Sequence, residues 1–280
     1  MMASYVNAAR KDGNVLVMDA GDTLHGTVFA NAVKGESLVE VMNAIGYDVM
    51  TPGNHDYNFG YDRLLELSGQ MDFPLVCANI LKDGKPAFEP SVMLEIAGKK
   101  IAVVGASNPQ MQSAIHPDQI KGLSFEGVAP VIAAVNAVRD EADAVVVLCH
   151  WGCDDAYDPN SVKALATIPG VSLVIDGHSH TSLYDIKQGE QGKAALVTST
   201  GEYLKNLGKV TLTFAPEGGL TVQAELIPNP GIFEDHAVIN AIEVAEEAQS
   251  AELDKVVGET SVELMGERAV VRTSESNWGN

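Results

Sequence analysis

Tyr47-Asp48-Val49-Met50-Thr51-Pro52-Gly53-Asn54-His55-Asp56-Tyr57-Asn58-Phe59-Gly60 is the stretch around which the chain is organised: an apolar run that empties into a polar turn between two glycines. A carboxamide, an imidazole and a carboxylate stand side by side on that turn. Such groups are costly to bury, and they gain from proximity when they converge on a charge. The same turn-forming residues would also make an ordinary surface loop. Read for chemistry, Asn54 is a metal ligand and His55 a catalytic acid or electrophile. The remainder of the chain decides between the two readings.

Outward from this stretch, apolar runs and helical spacings alternate. Residues Asn14 to Ala20 read as a buried strand ahead of the turn Gly21-Asp22. Phe29 to Ile45 reads as a helix closed by Gly46, and Tyr47 to Met50 as a second strand. Tyr61 to Leu67 starts another helix, and Pro74 to Ile80 is a third strand. Ser91 to Ala97 and Lys99 to Ala106 form a hairpin about Gly98. Ala129 to Glu141 is helical. Ala144 to Cys149 is so uniformly apolar that both its faces should be covered. A short helix over Ser161 to Ile168 leads to the strand Ser172 to Ile175. Ala194 to Ser199, Leu207 to Phe214 and Leu220 to Ile227 suggest an antiparallel finish. Phe233 to Val257 reads as a long polar helix connecting two domains. The pattern is that of a layered α/β fold.

Length and composition set limits. A chain of 280 residues can bury a sizeable core, and 46% hydrophobic with 20% charged content fits a globular protein. The N-terminus shows no basic segment followed by an apolar one, so no signal peptide is visible, and no apolar run approaches a membrane span. A formal charge of −20 argues against a nucleic-acid polymer or an anionic membrane as partner. It leaves room for a small phosphorylated substrate, because a bound cation reverses the local field. Oligomeric state is not legible. Cys77, Cys149 and Cys153 do not make a disulfide framework. Cys149-His150-Trp151-Gly152-Cys153 lacks the spacing of a thiolate zinc site, and all three read as small buried hydrophobes.

Four predicted strands end in polar, metal-competent residues: Asp19-Ala20-Gly21-Asp22, Gly53-Asn54-His55-Asp56, His150-Trp151-Gly152 and Asp176-Gly177-His178-Ser179-His180. Open α/β sheets bind ligands beyond the carboxyl ends of their strands, so the four should meet. One Asp, one Asn and three His suit Zn, Mn, Fe or Co better than Ca or Mg.

This series, Asp-Ala-Gly-Asp-x-x-x-Gly, Gly-Asn-His-Asp, His-Trp-Gly and Gly-His-Ser-His, resembles that of the metallophosphoesterases. In particular it is similar to the catalytic domain of the bacterial 5′-nucleotidase and 2′,3′-cyclic-nucleotide phosphodiesterase family. The resemblance implies a four-layer αββα sandwich over residues 1–257, with 258–280 a linker and the start of a C-terminal nucleotide-binding domain. It implies two divalent metal ions bridged by Asp22. Asn54, His150 and His178 would complete one site, and His180 would serve the other. His55 would act at the scissile phosphate, with Asp56 and Asn58 as its neighbours. Asn79, in Ala78-Asn79-Ile80, would lie close to the substrate. The implied activity is hydrolysis of nucleotide phosphate esters by metal-activated water, outside the cytoplasm.

Two departures accompany the resemblance. The family's opening strand, which ends in Asp-x-His, has no counterpart ahead of Asp22 and is expected upstream of Met1, leaving one metal short of ligands. His25, three residues after Asp22, is not assigned to that role. Asn58 stands where many members carry Asp; Asn at this place is more like the cyclic-phosphodiesterase branch. The alternative reading is a non-catalytic metal- or nucleotide-binding fragment with an incomplete centre.

Overall fold

A computed structural model of the chain describes residues 2–153, 162–183, 195–229 and 234–277. The expected element ends at Ser161, Ala194 and Phe233, and residues 278–280 of the closing stretch, lie outside them. Contacts divide the chain into two units, Met1–Glu243 and Val244–Asn280. The first runs α1 (Met2–Asp12), β1 (Met18–Asp19), α2 (Val28–Asn31), α3 (Glu36–Ile45), β2 (Val49–Met50) and α4 (Tyr61–Ser68). It continues with β3 (Ile80–Lys82), β4 (Lys85–Pro86), β5 (Ser91–Ile96), β6 (Lys99–Ser107), β7 (Leu123–Phe125), α5 (Ala129–Val138) and β8 (Ala144–His150). Then come α6 (Val162–Ala166), β9 (Leu173–Asp176), β10 (Ser182–Leu183), β11 (Leu196–Thr200) and the hairpin β12 (Asn206–Phe214) and β13 (Leu220–Pro228). The helix α7 (His236–Leu253) passes from the first unit into the second, which also holds α8 (Arg268–Val271).

The main sheet has the order β10-β11-β9-β8-β6-β5, parallel through its four middle strands and antiparallel at both edges. Its centre is β8, whose residues are all buried. Strand side chains alternate between faces, and here each face meets a different core. Val145, Val147 and Cys149 join Val131 and Val135 of α5 and Leu165 of α6. Ala144, Val146 and Leu148 join Val49 of β2 and Val76. A third core lies on the far side of β2, where Met50 packs with Val39 and Met42 of α3 and Leu64 and Leu67 of α4. Three cores separate four layers, the αββα sandwich that the resemblance implied.

Several sequence expectations are corrected. The helix expected over Phe29 to Ile45 is two helices, because Gly35 adopts a left-handed φ of 92° between them. The first strand pairs only at Met18 and Asp19. Within the strand expected over Pro74 to Ile80, Leu75 bridges Met50 and Val76 bridges Glu89, before the chain turns into β3. The antiparallel finish holds for β12 and β13, whereas β11 runs parallel to β9. The chain leaves β9, sets β10 one place out at the edge, and returns to fill the gap as β11. Helix α1 was not foreseen. Its Arg10 donates to the carbonyls of Ile45 (3.2 Å) and Gly46 (2.7 Å), capping the end of α3. Among the described residues no helix is long and apolar enough to cross a membrane.

Candidate metal centre

The turn after β1 and the turn after β2 are pressed together. A Cβ on Gly53 would overlap the Asp22 carboxylate, and one on Gly21 would overlap the backbone of Gly53, so neither position admits a side chain. Beneath them lies the buried carboxylate of Asp56. It accepts N–H bonds from Gly53 (2.7 Å), Asp22 (2.8 Å), Leu24 (2.9 Å) and Thr23 (3.0 Å). Burial, then the neighbouring Asp22 charge, push this carboxyl up to about 7, against the N–H donors that favour the anion. Both Asp56 oxygens are thus taken up in tying one turn to the other. Asp22 emerges on top at φ 63°, a left-handed conformation that Asp tolerates better than most residues.

His150 arrives from the end of β8. Its Nδ1 lies 2.7 Å from the carbonyl oxygen of Ala20, which can only accept, so Nδ1 carries the proton. That leaves the Nε2 lone pair 3.1 Å from Asp22 Oδ2. Nε2 is buried, and this approach lacks the alignment of a hydrogen bond. Two electron pairs facing each other at that distance require a proton or a cation between them. Burial opposes charge on His150, but the Asp22 carboxylate and the Ala20 carbonyl raise its pKa above the ordinary value. His178, at a left-handed φ of 78°, stands edge-on to His150 with ring centroids 5.0 Å apart. Burial, then the His150 charge, lower its pKa to about 4, which keeps the ring neutral as ligation requires.

Asp22, His150 and His178 each turn one ligand atom to a common point, all within 4.8 Å of one another. In the adjoining turn, Asn54 Oδ1 is buried without a hydrogen-bond partner. A carboxylate, a carboxamide oxygen and two imidazoles form a donor set suited to Zn, Mn, Fe or Co. The orphaned oxygen and the facing lone pairs are what a cation would satisfy, so these residues fit the metal the family uses. Adding Zn2+, Mn2+ or Co2+ at a hundredfold excess over its Kd is expected to raise unfolding free energy by about 2.7 kcal/mol, read from thermal or urea unfolding. No shift with any of the three would contradict this assignment.

The other sequence-derived residues fall into distinct places. His55 is exposed, and its backbone N–H donates to Asp22 Oδ1 at 2.7 Å. Asn58 Nδ2 lies 3.1 Å from His55 Nδ1. His180 stands apart from the three-residue group, half exposed, with Nδ1 2.9 Å from Glu202 Oε2. Asn79 is wholly buried. Its Nδ2 donates to the carbonyls of Ser107 (2.6 Å) and Glu126 (2.7 Å), and its Oδ1 accepts from Ser107 N–H (2.9 Å). No polar atom of Asn79 is left for solvent, so its geometry is that of a brace under the site.

Three further residues escape a reading by motif. Asp176 accepts from the N–H groups of Trp151 (2.8 Å) and Gly152 (3.1 Å), locking the turn after β8 to the end of β9. Glu202 holds the His180 ring. His25 shares the Asn58 amide with His55, 3.0 Å from its Nδ1. For two of them a signal existed: Asp176 opens the strand-end cluster that contains His178, and His25 is an imidazole beside a glycine, three residues after Asp22.

The calcineurin-like phosphoesterase family model matches residues 2–182. A 5′-nucleotidase of Diplobatis ommata is 28% identical over 302 residues, covering 96% of this chain and 50% of the relative. The trifunctional nucleotide phosphoesterase YfkN of Bacillus subtilis is 26% identical, covering 98% of this chain and 21% of the relative. The solved 5′-nucleotidase precursor of Thermus thermophilus superposes with a TM-score of 0.76 at 26% identity, covering 100% of this chain and 58% of that one. The chain spans half or less of the length of these curated relatives. Its sandwich, its strand-end donors and the extent of the family match lead to one conclusion: the chain belongs to the calcineurin-like phosphoesterases.

Proposed function

We propose that the chain carries the hydrolytic centre of a metal-dependent phosphohydrolase acting on nucleotide phosphate esters, of the 5′-nucleotidase or 2′,3′-cyclic phosphodiesterase type. The observation that carries this reading is the pair of facing acceptors, Asp22 Oδ2 and His150 Nε2, beside the orphaned Asn54 oxygen. Nucleotidase relatives across almost the whole chain support the substrate class. We place the working compartment outside the cytoplasm on the family resemblance.

Asp22, Asn54, His150 and His178 would hold one cation, and His180 with Asp22 would contribute to a second. Bound there, divalent cations supply an acidified water and neutralise phosphate charge. The chain's own residues do the rest. Asp56 fixes the height of Asp22 by gripping the N–H groups on either side of it. His55 stands at the rim, tethered through its backbone to Asp22, where its ring can donate to charge developing on the phosphoryl or leaving oxygen. Asn58 orients that ring, and Asn79 braces the floor.

Phosphate release from nucleoside 5′-monophosphates and opening of 2′,3′-cyclic nucleotides, assayed with Mn2+ or Co2+, tests the proposal. Metal binding without turnover of either substrate would favour the non-catalytic binding module instead. His55→Ala is expected to lower kcat about 10²- to 10⁴-fold, the usual contribution of a proton-transfer group, with metal content unchanged. Loss of metal in that variant would show that the division of labour within Gly53-Asn54-His55-Asp56 is wrong.

A further inference from the structure

Two imidazoles share one amide beside the metal centre. Asn58 Nδ2 lies 3.0 Å from His25 Nδ1 and 3.1 Å from His55 Nδ1. The two rings are stacked, nearly parallel at 9°, with centroids 5.8 Å apart. Phe59 packs against His25 at 5.3 Å and a 57° tilt. His25 is thus held by Phe59, His55 and Asn58 together, whereas His55 is exposed. Burial, then the nearby His55, hold the pKa of His25 below its ordinary value, toward the neutral ring.

The geometry points to His25 as a positioning residue that, through the Asn58 amide and the ring stack, fixes the plane and tautomer of His55. An amide nitrogen carries two hydrogens and accepts none. Donating one to each Nδ1, Asn58 leaves both Nδ1 atoms bare and puts both ring protons on Nε2. With one hydrogen directed to His25, the amide cannot rotate without breaking that bond, so the second stays aimed at His55. His55 then offers a fixed Nε2–H donor. A carboxylate at position 58 would do the opposite, accepting from Nδ1–H and baring Nε2. The catalytic meaning of this arrangement rests on the phosphohydrolase reading; the arrangement itself does not.

Long-range proton–nitrogen NMR of the 15N-histidine-labelled chain, at a pH where the rings are neutral, tests it without activity. His55 is expected as a single Nε2–H tautomer. His25→Ala and His25→Phe are expected to give a tautomer mixture at His55, the second variant keeping an aromatic face but no acceptor. Asn58→Asp is expected to reverse the tautomer to Nδ1–H. In the assay, His25→Phe is expected to lower kcat about tenfold, the lower end for an outer partner, with KM and metal content unchanged. A wild-type His55 carrying its proton on Nδ1 would overturn the inference, as would a His55 tautomer indifferent to both His25 variants. If hydrolysis is absent altogether, the phosphohydrolase reading fails while the tautomer result still decides this one.

Discussion

Replacing Asp22 with alanine is expected to abolish divalent-metal binding and hydrolysis together. Asp22 provides the single carboxylate in the three-residue group, and both its oxygens are engaged, Oδ1 by the His55 N–H and Oδ2 facing His150. Removing it leaves two imidazoles and an amide oxygen with no negative charge to offset a dication. The loss should exceed the roughly 10- to 100-fold typical of partners outside the ligand set. Alanine also sits badly at φ 63°, so Asp22→Asn is the cleaner companion. Asparagine tolerates that backbone and can still accept from His55, but lacks the charge. Metal content after dialysis, by mass spectrometry, reads the effect. An Asp22→Asn chain that keeps its metal would refute the assignment.

Asp56→Asn is expected to cost stability rather than chemistry alone. Each Asp56 oxygen accepts two backbone N–H groups. An amide keeps one accepting oxygen and turns an NH2 group toward the other two donors. Each buried donor left unpaired costs about 1–3 kcal/mol, so the variant should lose on the order of 2–6 kcal/mol. Whole domains are stable by about 5–15 kcal/mol, so this is a large fraction, and urea unfolding will show it. The two turns should also part, weakening metal binding in the folded fraction. A loss below about 1 kcal/mol would mean that the four contacts do not hold the turns.

The apolar runs and the donors at their ends were legible because both obey local rules. The β8 run announces burial on two faces, and Asp22, Asn54, His150 and His178 each stand at or just beyond the end of an apolar run. The partners of these residues obey no local rule. Asp56 reads as a catalytic neighbour of His55, yet its carboxylate is taken up by four backbone N–H donors, three of them on a loop more than thirty residues away. Asn79 matched a family position near substrate, but its side chain is occupied by Ser107 and Glu126, set by how β3 and β6 approach. His180 shares a motif with His178, and the left-handed residues between the two strands carry it outward to Glu202. The parallel placement of β11 depends on which gap a returning strand fills, which no stretch of sequence encodes by itself.

Among the proposed ligands, His150 alone belongs to a strand, and that strand is clamped between two cores. Asp22, Asn54 and His178 ride on turns. Opening a turn takes less free energy than opening the central sheet. Ligand exchange at such a centre would therefore be asymmetric in time. The turns would let go and rebind while His150 stays in place, so that a cation could enter or leave stepwise with the fold intact, each return starting from an imidazole already aimed.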